Sequence, residues 1–201
     1  GDTYIAAMGQ GYVLATPLQT LVSEAIIAND GVYMQPTLVH EVIDDAGDVI
    51  EPFTPKVKWD ITRDPLITVF NEFGIPTEEK KVVEPWVVSL TQEGMRMTVT
   101  EGTAQRIFRN FIINGKEIQT AGKTGTAEYC DDVAQEKNLC QPGNWPAHAW
   151  YVGYGPTDDP EIAVIAFVYN GTEGSSVSAP IVRQVLEAYF DLKAIDEGTA
   201  Q

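Results

Sequence analysis

Two apolar runs near the C-terminus constrain the fold more than any other feature of the sequence. Ala147–Tyr154 and Glu161–Tyr169 are both typical of strands, and a turn rich in proline and aspartate, residues 155–160, joins them. A third strand is predicted where Ile118–Ala121 continues into Gly122–Ala127. Consecutive strands joined by turns indicate an antiparallel sheet, and the helical segments around them indicate an α+β fold with helices packed on that sheet.

Three helices are predicted around this sheet. The first begins with a capping box, in which Thr16 is the N-cap, Pro17 the first helical residue and Gln19 the third. The second covers Trp86–Thr100, and the last is capped by Ser178. Helical spacing predicts that their core-facing residues are Leu18, Leu21, Val22, Ala25 and Ile26, then Trp86, Val87, Leu90, Gly94 and Met97, then Ile181, Val182, Val185, Leu186 and Tyr189.

The remaining segments are predicted as follows. Val32–His40 and Glu41–Ile43 are strands, and Asp44–Asp48 is the turn of a hairpin. Five prolines interrupt residues 51–85, which we interpret as a long excursion with short elements, including a helix around 64–73. A glycine- and serine-rich loop occupies residues 170–177. We expect one domain over residues 1–192, followed by a frayed tail over 193–201.

Composition excludes several classes of function. The 201 residues carry 13 basic against 29 acidic side chains, a formal charge of −16, which disfavours nucleic acids and anionic membranes as partners. No apolar run approaches the roughly 18 residues that a membrane-spanning helix needs. The segment Gly1–Tyr4 lacks the basic and apolar regions of a secretory signal.

The segment Gly122–Thr126 invites two interpretations. A phosphate-binding loop needs a glycine five positions before its second glycine, but that position is Glu117, and Gly115 is out of register. The alternative is a strand edge that binds an extended peptide with a carboxylate. Lys123 supplies a cation, Thr124 and Thr126 supply hydroxyls, and Gly125 lets the ligand backbone approach. Strand alternation places Lys123 and Gly125 on one face and the two threonines on the other.

A family resemblance favours the strand-edge interpretation. Lys123-Thr124-Gly125 is the K-T-G motif of the serine penicillin-recognising enzymes. The stretch from Gly1 to Gln19, with G-D-T-Y, G-Q-G and T-P-L-Q, resembles class B penicillin-binding proteins, best the elongation-type penicillin-binding protein 2 group. Further resemblances in the same order are Ala28–Gly31, Gly94–Ala104 with its E-G-T-A end, and His148–Trp150 with Tyr154–Pro156.

The resemblance implies part of a transpeptidase-like fold, shared with β-lactamases, and a D,D-transpeptidase that cross-links peptidoglycan stem peptides. It implies that Lys123 holds the substrate carboxylate and polarises the serine of an S-x-N motif, and that Thr124 and Thr126 bind the carboxylate. The backbone N–H of Thr126 would supply half of the oxyanion hole, and Gly125 would lie against the substrate. β-Lactams would acylate the same nucleophile, and no cofactor is implied.

The two motifs that accompany K-T-G in this family, S-x-x-K and S-x-N, do not occur in the sequence. None of the five serines has a lysine three residues later or an asparagine two residues later, and no tyrosine has such an asparagine. Because the family places both motifs upstream of G-Q-G, we expect the nucleophile and its base in an N-terminal part of the same protein, before Gly1. The chain by itself is then expected to be catalytically silent, with only the C-terminal half of the fold.

Nine residues separate Cys130 from Cys140 in the sequence, and the two cysteines have three interpretations. They could be free thiols, a disulfide worth about 2–3 kcal/mol in the chain-entropy model, or zinc ligands with His148 and Asp131 or Asp132. The spacing is not that of a common structural zinc site, so no metal is predicted. The extracytoplasmic location that the family implies favours the disulfide.

Other catalytic arrangements are weaker. Ser175 or Ser176 with His148 and an aspartate could form a triad, but the loop lacks a nucleophile-elbow motif. We expect His148 to be structural, and His40 needs no role.

The family implies a parent protein anchored by an N-terminal helix at the extracytoplasmic face of the bacterial cytoplasmic membrane. Its partners would include elongation-machinery proteins. The alternative function is a non-catalytic β-lactam- or cell-wall-sensing domain of the same fold.

Overall fold

Helices and short antiparallel strands alternate along the chain in a computed structural model, which describes residues 2–7, 9–11 and 13–198. The helices are α1 (Asp2–Ala7), α2 (Pro17–Ala28), α3 (Pro85–Thr100), α4 (Gln105–Phe108), α5 (Asp132–Glu136) and α6 (Ala179–Asp196). The strands are β1 (Val32–Met34), β2 (Val42–Ile43), β3 (Val49–Glu51), β4 (Val57–Asp60), β5 (Ile67–Phe70), β6 (Pro76–Lys81), β7 (Ile112–Ile113), β8 (Lys116–Glu117), β9 (Ala121–Glu128), β10 (Ala147–Gly155) and β11 (Ile162–Val168). None of the helices in these ranges is long and apolar enough to cross a membrane.

The predicted antiparallel sheet is confirmed, with the strand order β11-β10-β9. β10 is the central strand, and it pairs with β11 from Ala149 to Gly155 and with β9 from Ala147 to Tyr154. Side chains of successive residues point to opposite faces of a strand, so this register decides which residues of the three strands share a face. The sheet belongs to a compact unit made of Gly1–Ala28 and Thr91–Gln201.

Apolar clusters bury both faces of the sheet. On one face Tyr151 packs with Val182 and Leu186 of α6 and with Phe108 of α4. On the other face Ala121 and Tyr154 pack with Ala28 of α2 and Met95 of α3. The register agrees with this division, because Tyr151 and Tyr154 are three positions apart on β10 and therefore point in opposite directions. The sheet is held between helices, as the α+β prediction requires.

The capping box at the start of α2 is confirmed. The Thr16 hydroxyl accepts a bond from the Gln19 backbone N–H at 3.2 Å, and the Gln19 side chain accepts one from the Thr16 N–H at 2.9 Å. These two bonds satisfy donors that a helix start leaves without intrahelical partners.

The predicted core faces of the helices are partly wrong. Trp86, Leu90 and Met97 of α3 are exposed, whereas Met95 and Val99 are buried. In α2, Leu18 and Ala25 are exposed and Glu24 and Ala28 are buried, while in α6 Ile181 and Val185 are exposed and Val182, Leu186 and Phe190 are buried. These helices carry apolar residues on more than one face, so periodicity by itself did not identify the face that meets the sheet.

A second compact unit, Asn29–Leu90, contains the predicted excursion and the hairpin before it. β2 and β3 form the hairpin, and the Asp44 side chain accepts bonds from the N–H groups of Ala46 and Asp48 in its turn, as expected. The long strand predicted over Val32–His40 is shorter, because β1 ends at Met34 and pairs with β4.

The helix predicted around residues 64–73 is wrong, since this segment forms the antiparallel hairpin β5–β6. The segment contains three consecutive residues with β-branched side chains, Ile67, Thr68 and Val69, a composition that favours a strand. The Asn71 side chain then accepts bonds from the N–H groups of Phe73 and Ile75, which forms the turn.

Two expectations near the C-terminus also need correction. The segment before α6 is partly a π-helical turn, Gly174–Ser178, and the Ser178 side chain makes no capping hydrogen bond. The expected tail begins inside α6, which continues to Asp196. Lys193 donates to the Glu161 carboxylate at 2.6 Å, and this bond joins the last turns of α6 to the residue that precedes β11.

The burial of α6 predicts a difference between two leucines on the same helix. Leu186 is fully buried and Leu192 is 62% exposed. Leu186→Ala is expected to lower the free energy of unfolding by about 2–5 kcal/mol, because it removes apolar contacts and leaves a cavity. Leu192→Ala, the matched control, is expected to change it by less than about 1 kcal/mol. Urea denaturation measures both, and equal effects would contradict this packing.

Candidate functional site

The segment singled out in the sequence, Lys123–Thr126, lies in the middle of β9. β9 is an outer strand of the sheet and pairs with β10 along one edge only. No strand in the described part of the chain pairs with its other edge. An unpaired strand edge presents N–H and C=O groups to any extended chain that can lie beside it. A phosphate loop would instead connect a strand to a helix, which rules against the nucleotide interpretation.

Lys123 contributes a positive charge to this edge. Its side chain is exposed, and its Nζ donates to the Thr124 carbonyl at 2.7 Å. Among the described residues Lys123 makes no salt bridge with a carboxylate. The ammonium group is therefore available to a negatively charged ligand, which matters in a chain whose formal charge is −16.

The Thr124 hydroxyl is held by a residue that the sequence did not single out. The hydroxyl groups of Thr103 and Thr124 are 2.8 Å apart and share a hydrogen bond. Thr103 follows α3 in the segment Glu101–Ala104, which the sequence had marked only as part of a resemblance. A hydroxyl is both donor and acceptor, so Thr124 keeps hydrogen-bonding capacity for a ligand.

The backbone of Thr126 also has an unpredicted partner. The Gln10 side chain donates from Nε2 to the Thr126 carbonyl at 2.8 Å. The carbonyl therefore points away from β10. In an antiparallel ladder the N–H and C=O of one residue point to the same side, so the Thr126 N–H faces outward as well. An outward N–H is what an oxyanion hole at this position requires.

Gly125 is needed for packing against β10. It lies opposite Trp150 in the ladder, and a Cβ atom at position 125 would come within 3.0 Å of the Trp150 Cβ. On the neighbouring π-helical turn, a Cβ at Gly174 would overlap with the Trp150 carbonyl and the Gly125 backbone. The two glycines allow this turn to pack tightly against β9 and β10.

His148 lies in an aromatic cluster beside the end of β9. Its ring stacks on Tyr129 with centroids 3.8 Å apart, and its Nδ1 accepts a bond from the Asn170 N–H at 3.2 Å. Burial lowers the pKa of His148, and the nearby Asp131 carboxylate opposes this shift. These contacts give His148 a structural role, as expected.

The serine triad considered from the sequence is not assembled. The Ser175 hydroxyl donates to the Glu173 carboxylate at 2.6 Å, and the Ser176 hydroxyl donates to the Glu173 backbone carbonyl at 3.3 Å. The Nδ1 atom of His148 is occupied by a backbone N–H instead.

Cys130 and Cys140 form a disulfide in the structure, with Cα atoms 5.7 Å apart. Both sulfur atoms are therefore unavailable to zinc, and the described residues include no group of three or more His, Cys, Asp or Glu side chains that could hold a metal. The disulfide closes the loop that contains α5, directly after β9. Asp131 caps α5 by accepting from the Ala134 N–H at 2.8 Å, and it also accepts from the Tyr169 hydroxyl at 3.0 Å.

Glu24 is a buried carboxyl group that the sequence did not identify. It is 5% exposed on the sheet-facing side of α2, and its Oε1 has no hydrogen-bond partner among the described residues. Burial raises its pKa to about 8. Burial also raises the pKa of Tyr151, and the Glu24 charge adds to that shift.

Comparison with known proteins decides the family. Residues 2–187 match the family described as "Penicillin binding protein transpeptidase domain". The chain belongs to this family. Penicillin-binding transpeptidases similar to it include "Peptidoglycan D,D-transpeptidase MrdA" of Haemophilus influenzae, 30% identical over 195 residues, which are 95% of this chain and 26% of that protein. "Peptidoglycan D,D-transpeptidase PbpA" of Mycolicibacterium smegmatis is 31% identical over 189 residues, 92% of this chain and 31% of that protein.

A solved member of the penicillin-binding family has the same fold. The imipenem acyl-enzyme complex of penicillin-binding protein A from M. tuberculosis superposes with a TM-score of 0.60 at 28% identity, covering 92% of this chain and 33% of that chain. The predicted membership of the penicillin-binding protein 2 group and the α+β transpeptidase fold are confirmed. The chain spans between about a quarter and a third of the length of these relatives.

The disulfide leads to a prediction about stability. The double substitution Cys130→Ser with Cys140→Ser is expected to lower the free energy of unfolding by about 2–3 kcal/mol, because a closed loop of this length restricts the unfolded chain. Urea denaturation measures the loss. Reductant is expected to destabilise the wild-type chain but not the double variant, and a shift of both by reductant would contradict the prediction.

The raised pKa of Glu24 predicts stability that falls as pH rises. The unfolded carboxyl ionises from about pH 4.5, whereas the folded one stays protonated up to about pH 8. Between these values the folded state binds more protons, so stability decreases with pH, by about 1.4 kcal/mol per pKa unit of difference. Glu24→Gln is expected to gain stability over wild type progressively from pH 5 to pH 8 in urea denaturation. Glu136→Gln, on the exposed surface of α5, is the control, and a constant difference between Glu24→Gln and wild type would contradict the prediction.

Proposed function

We propose that this chain is the substrate-binding part of a peptidoglycan D,D-transpeptidase that cross-links stem peptides and is a target of β-lactams. The free edge of β9 is the observation that carries this proposal. This edge combines the exposed ammonium group of Lys123, the Thr124 hydroxyl that is hydrogen-bonded to Thr103, and the outward-facing N–H and C=O groups of Thr126. A peptide that ends in a carboxylate needs these groups, and the relatives named above are D,D-transpeptidases.

Each residue of the edge has a proposed role. Lys123 neutralises the terminal carboxylate and polarises the serine of an S-x-N motif, and the hydroxyls of Thr124 and Thr126 donate hydrogen bonds to the carboxylate. The Thr126 N–H is one donor of the oxyanion hole, where negative charge develops on the scissile carbonyl oxygen. Gly125 adds no side chain, so the substrate backbone can lie against the strand.

The proposed reaction has two steps. A serine attacks the carbonyl carbon of the penultimate D-Ala, and the bond to the terminal D-Ala breaks with release of that amino acid. An amine of a second stem peptide then attacks the acyl-serine ester, which forms the cross-link and frees the serine. The chain supplies the electrostatic part of this chemistry, because it holds the carboxylate and the oxyanion but contains neither S-x-x-K nor S-x-N.

We place the nucleophile and base in an N-terminal part of the protein outside residues 1–201. The proposed location is the extracytoplasmic face of the bacterial cytoplasmic membrane, with attachment through a helix outside these residues, and elongation-machinery proteins are proposed partners. The disulfide between Cys130 and Cys140 supports this location, because disulfides persist in oxidising compartments.

The first test separates binding from acylation. The chain incubated with benzylpenicillin is expected to show no mass increase, because it lacks the acylated serine. Intact-mass spectrometry measures this, and a stoichiometric mass gain would place the nucleophile within these residues.

The second arm of the test measures non-covalent binding of an N-acetylated D-Ala-D-Ala dipeptide by NMR titration. Lys123→Met is expected to weaken binding about tenfold or more, since a hydrogen bond to a charged group contributes roughly 1.5–3 kcal/mol. Lys116→Met, which removes another exposed lysine on β8, is the matched control. Equal affinities of wild type and Lys123→Met would refute the proposed role of Lys123.

A further inference from the structure

The Gln10 side chain lies at the free edge of β9, where it bonds to the Thr126 carbonyl. Its Nε2 donates to the Thr126 carbonyl at 2.8 Å, although the two residues are 116 positions apart. The other backbone group that Thr126 presents at this edge is its N–H, which faces the same side as the carbonyl. Gln10 therefore satisfies one of the two backbone groups that an added strand would use.

The end of α1 places Gln10 at this position. The Gln10 N–H bonds to the Ile5 carbonyl at 3.1 Å, and the Gly9 N–H bonds to the Ala6 carbonyl at 2.9 Å. This pair of bonds is the Schellman arrangement, and Gly9 adopts the left-handed conformation that it needs, with φ of 76°. Gly11, with φ of 94°, redirects the chain on the other side of Gln10. The sequence G-Q-G thus builds a short support that carries one carboxamide to the edge of β9.

The bond between Gln10 and Thr126 is exposed to solvent. A hydrogen bond in such a place contributes little net free energy, because water or another donor can replace it. A carboxamide is also chemically equivalent to a peptide amide as a donor. Replacement of the side-chain N–H of Gln10 by the N–H of a peptide ligand therefore changes the free energy only a little.

We infer that the Gln10 carboxamide is a placeholder for a peptide amide, and that a ligand peptide must displace it from the Thr126 carbonyl to bind. This inference rests on the proposed function. Gln10 then lowers the affinity for a ligand whose N–H competes for the Thr126 carbonyl more than for a ligand that lacks this N–H. Gln10 does not take part in the proposed reaction, and it influences binding only through its hydrogen bond to the Thr126 carbonyl.

The geometry of an antiparallel ladder identifies the ligand amide. Two residues that form a hydrogen-bonded pair exchange both bonds, N–H to C=O in each direction. If the penultimate D-Ala carbonyl accepts from the Thr126 N–H, then the N–H of the same D-Ala donates to the Thr126 carbonyl. That N–H is the group that takes the place of Gln10.

The test compares two ligands that differ in this one group. N-acetyl-D-alanyl-D-alanine carries the N–H, and the analogue acetyl-D-lactoyl-D-alanine has an ester oxygen in its place. NMR titration measures the affinity of wild type, Gln10→Ala and the control Gln184→Ala, which truncates an exposed glutamine on α6. Gln10→Ala is expected to bind the amide ligand about two- to tenfold more tightly than wild type. The ester analogue, without a donor for the freed carbonyl, is expected to gain less than the amide ligand.

The outcomes separate this inference from the proposed function. Equal or weaker binding of the amide ligand by Gln10→Ala overturns the inference, and so does an equal gain for both ligands. If Lys123→Met still weakens binding in that case, the proposed function stands without the placeholder. Absence of saturable binding by wild type and Gln10→Ala alike overturns both.

Discussion

The one-sided pairing of β9 is the constraint on which the site depends. β10 satisfies half of the backbone groups of β9, and the other half face outward at residues such as Thr126. Backbone N–H and C=O groups always need a partner, which is water, a side chain or another chain. In the proposed function this free edge is a template for an extended ligand, and the positive charge of Lys123 favours a ligand with a carboxylate. Gln10 shows that even within the chain a donor is recruited to the same edge.

The rest of the first unit keeps this edge in place. Helices cover both faces of the sheet, so β9 is positioned by cores that include Tyr151 on one face and Tyr154 on the other. Glycines at positions 125 and 174 allow the π-helical turn to pack against β9 and β10 without a steric clash. The disulfide fixes the loop that leaves the strand. Rigid supports of this kind reduce the ordering that a ligand must impose when it binds.

Local sequence patterns predicted local structure well where one interaction decides the outcome. The capping box at Thr16 formed as predicted because both of its bonds lie within four residues. The hairpin turn at Asp44 formed for the same reason. Predictions failed where two local patterns compete, as in the segment Ile67–Phe70, or where a helix carries apolar residues on several faces, as in α3. Local spacing cannot rank such alternatives, since the choice depends on the surface that the element packs against.

The sequence by itself determined the antiparallel sheet, the family and the residues of the K-T-G strand, because strand patterns and motifs are written in consecutive positions. Only the tertiary structure decided which side of β9 is free and which residues reach it. Gln10 and Thr103 lie 116 and 21 positions from their partners on β9, and no spacing rule relates residues that far apart. The buried Glu24 belongs to the same class, because its protonation depends on being enclosed between α2 and the sheet. Motifs name the groups of a site, and packing decides what those groups face.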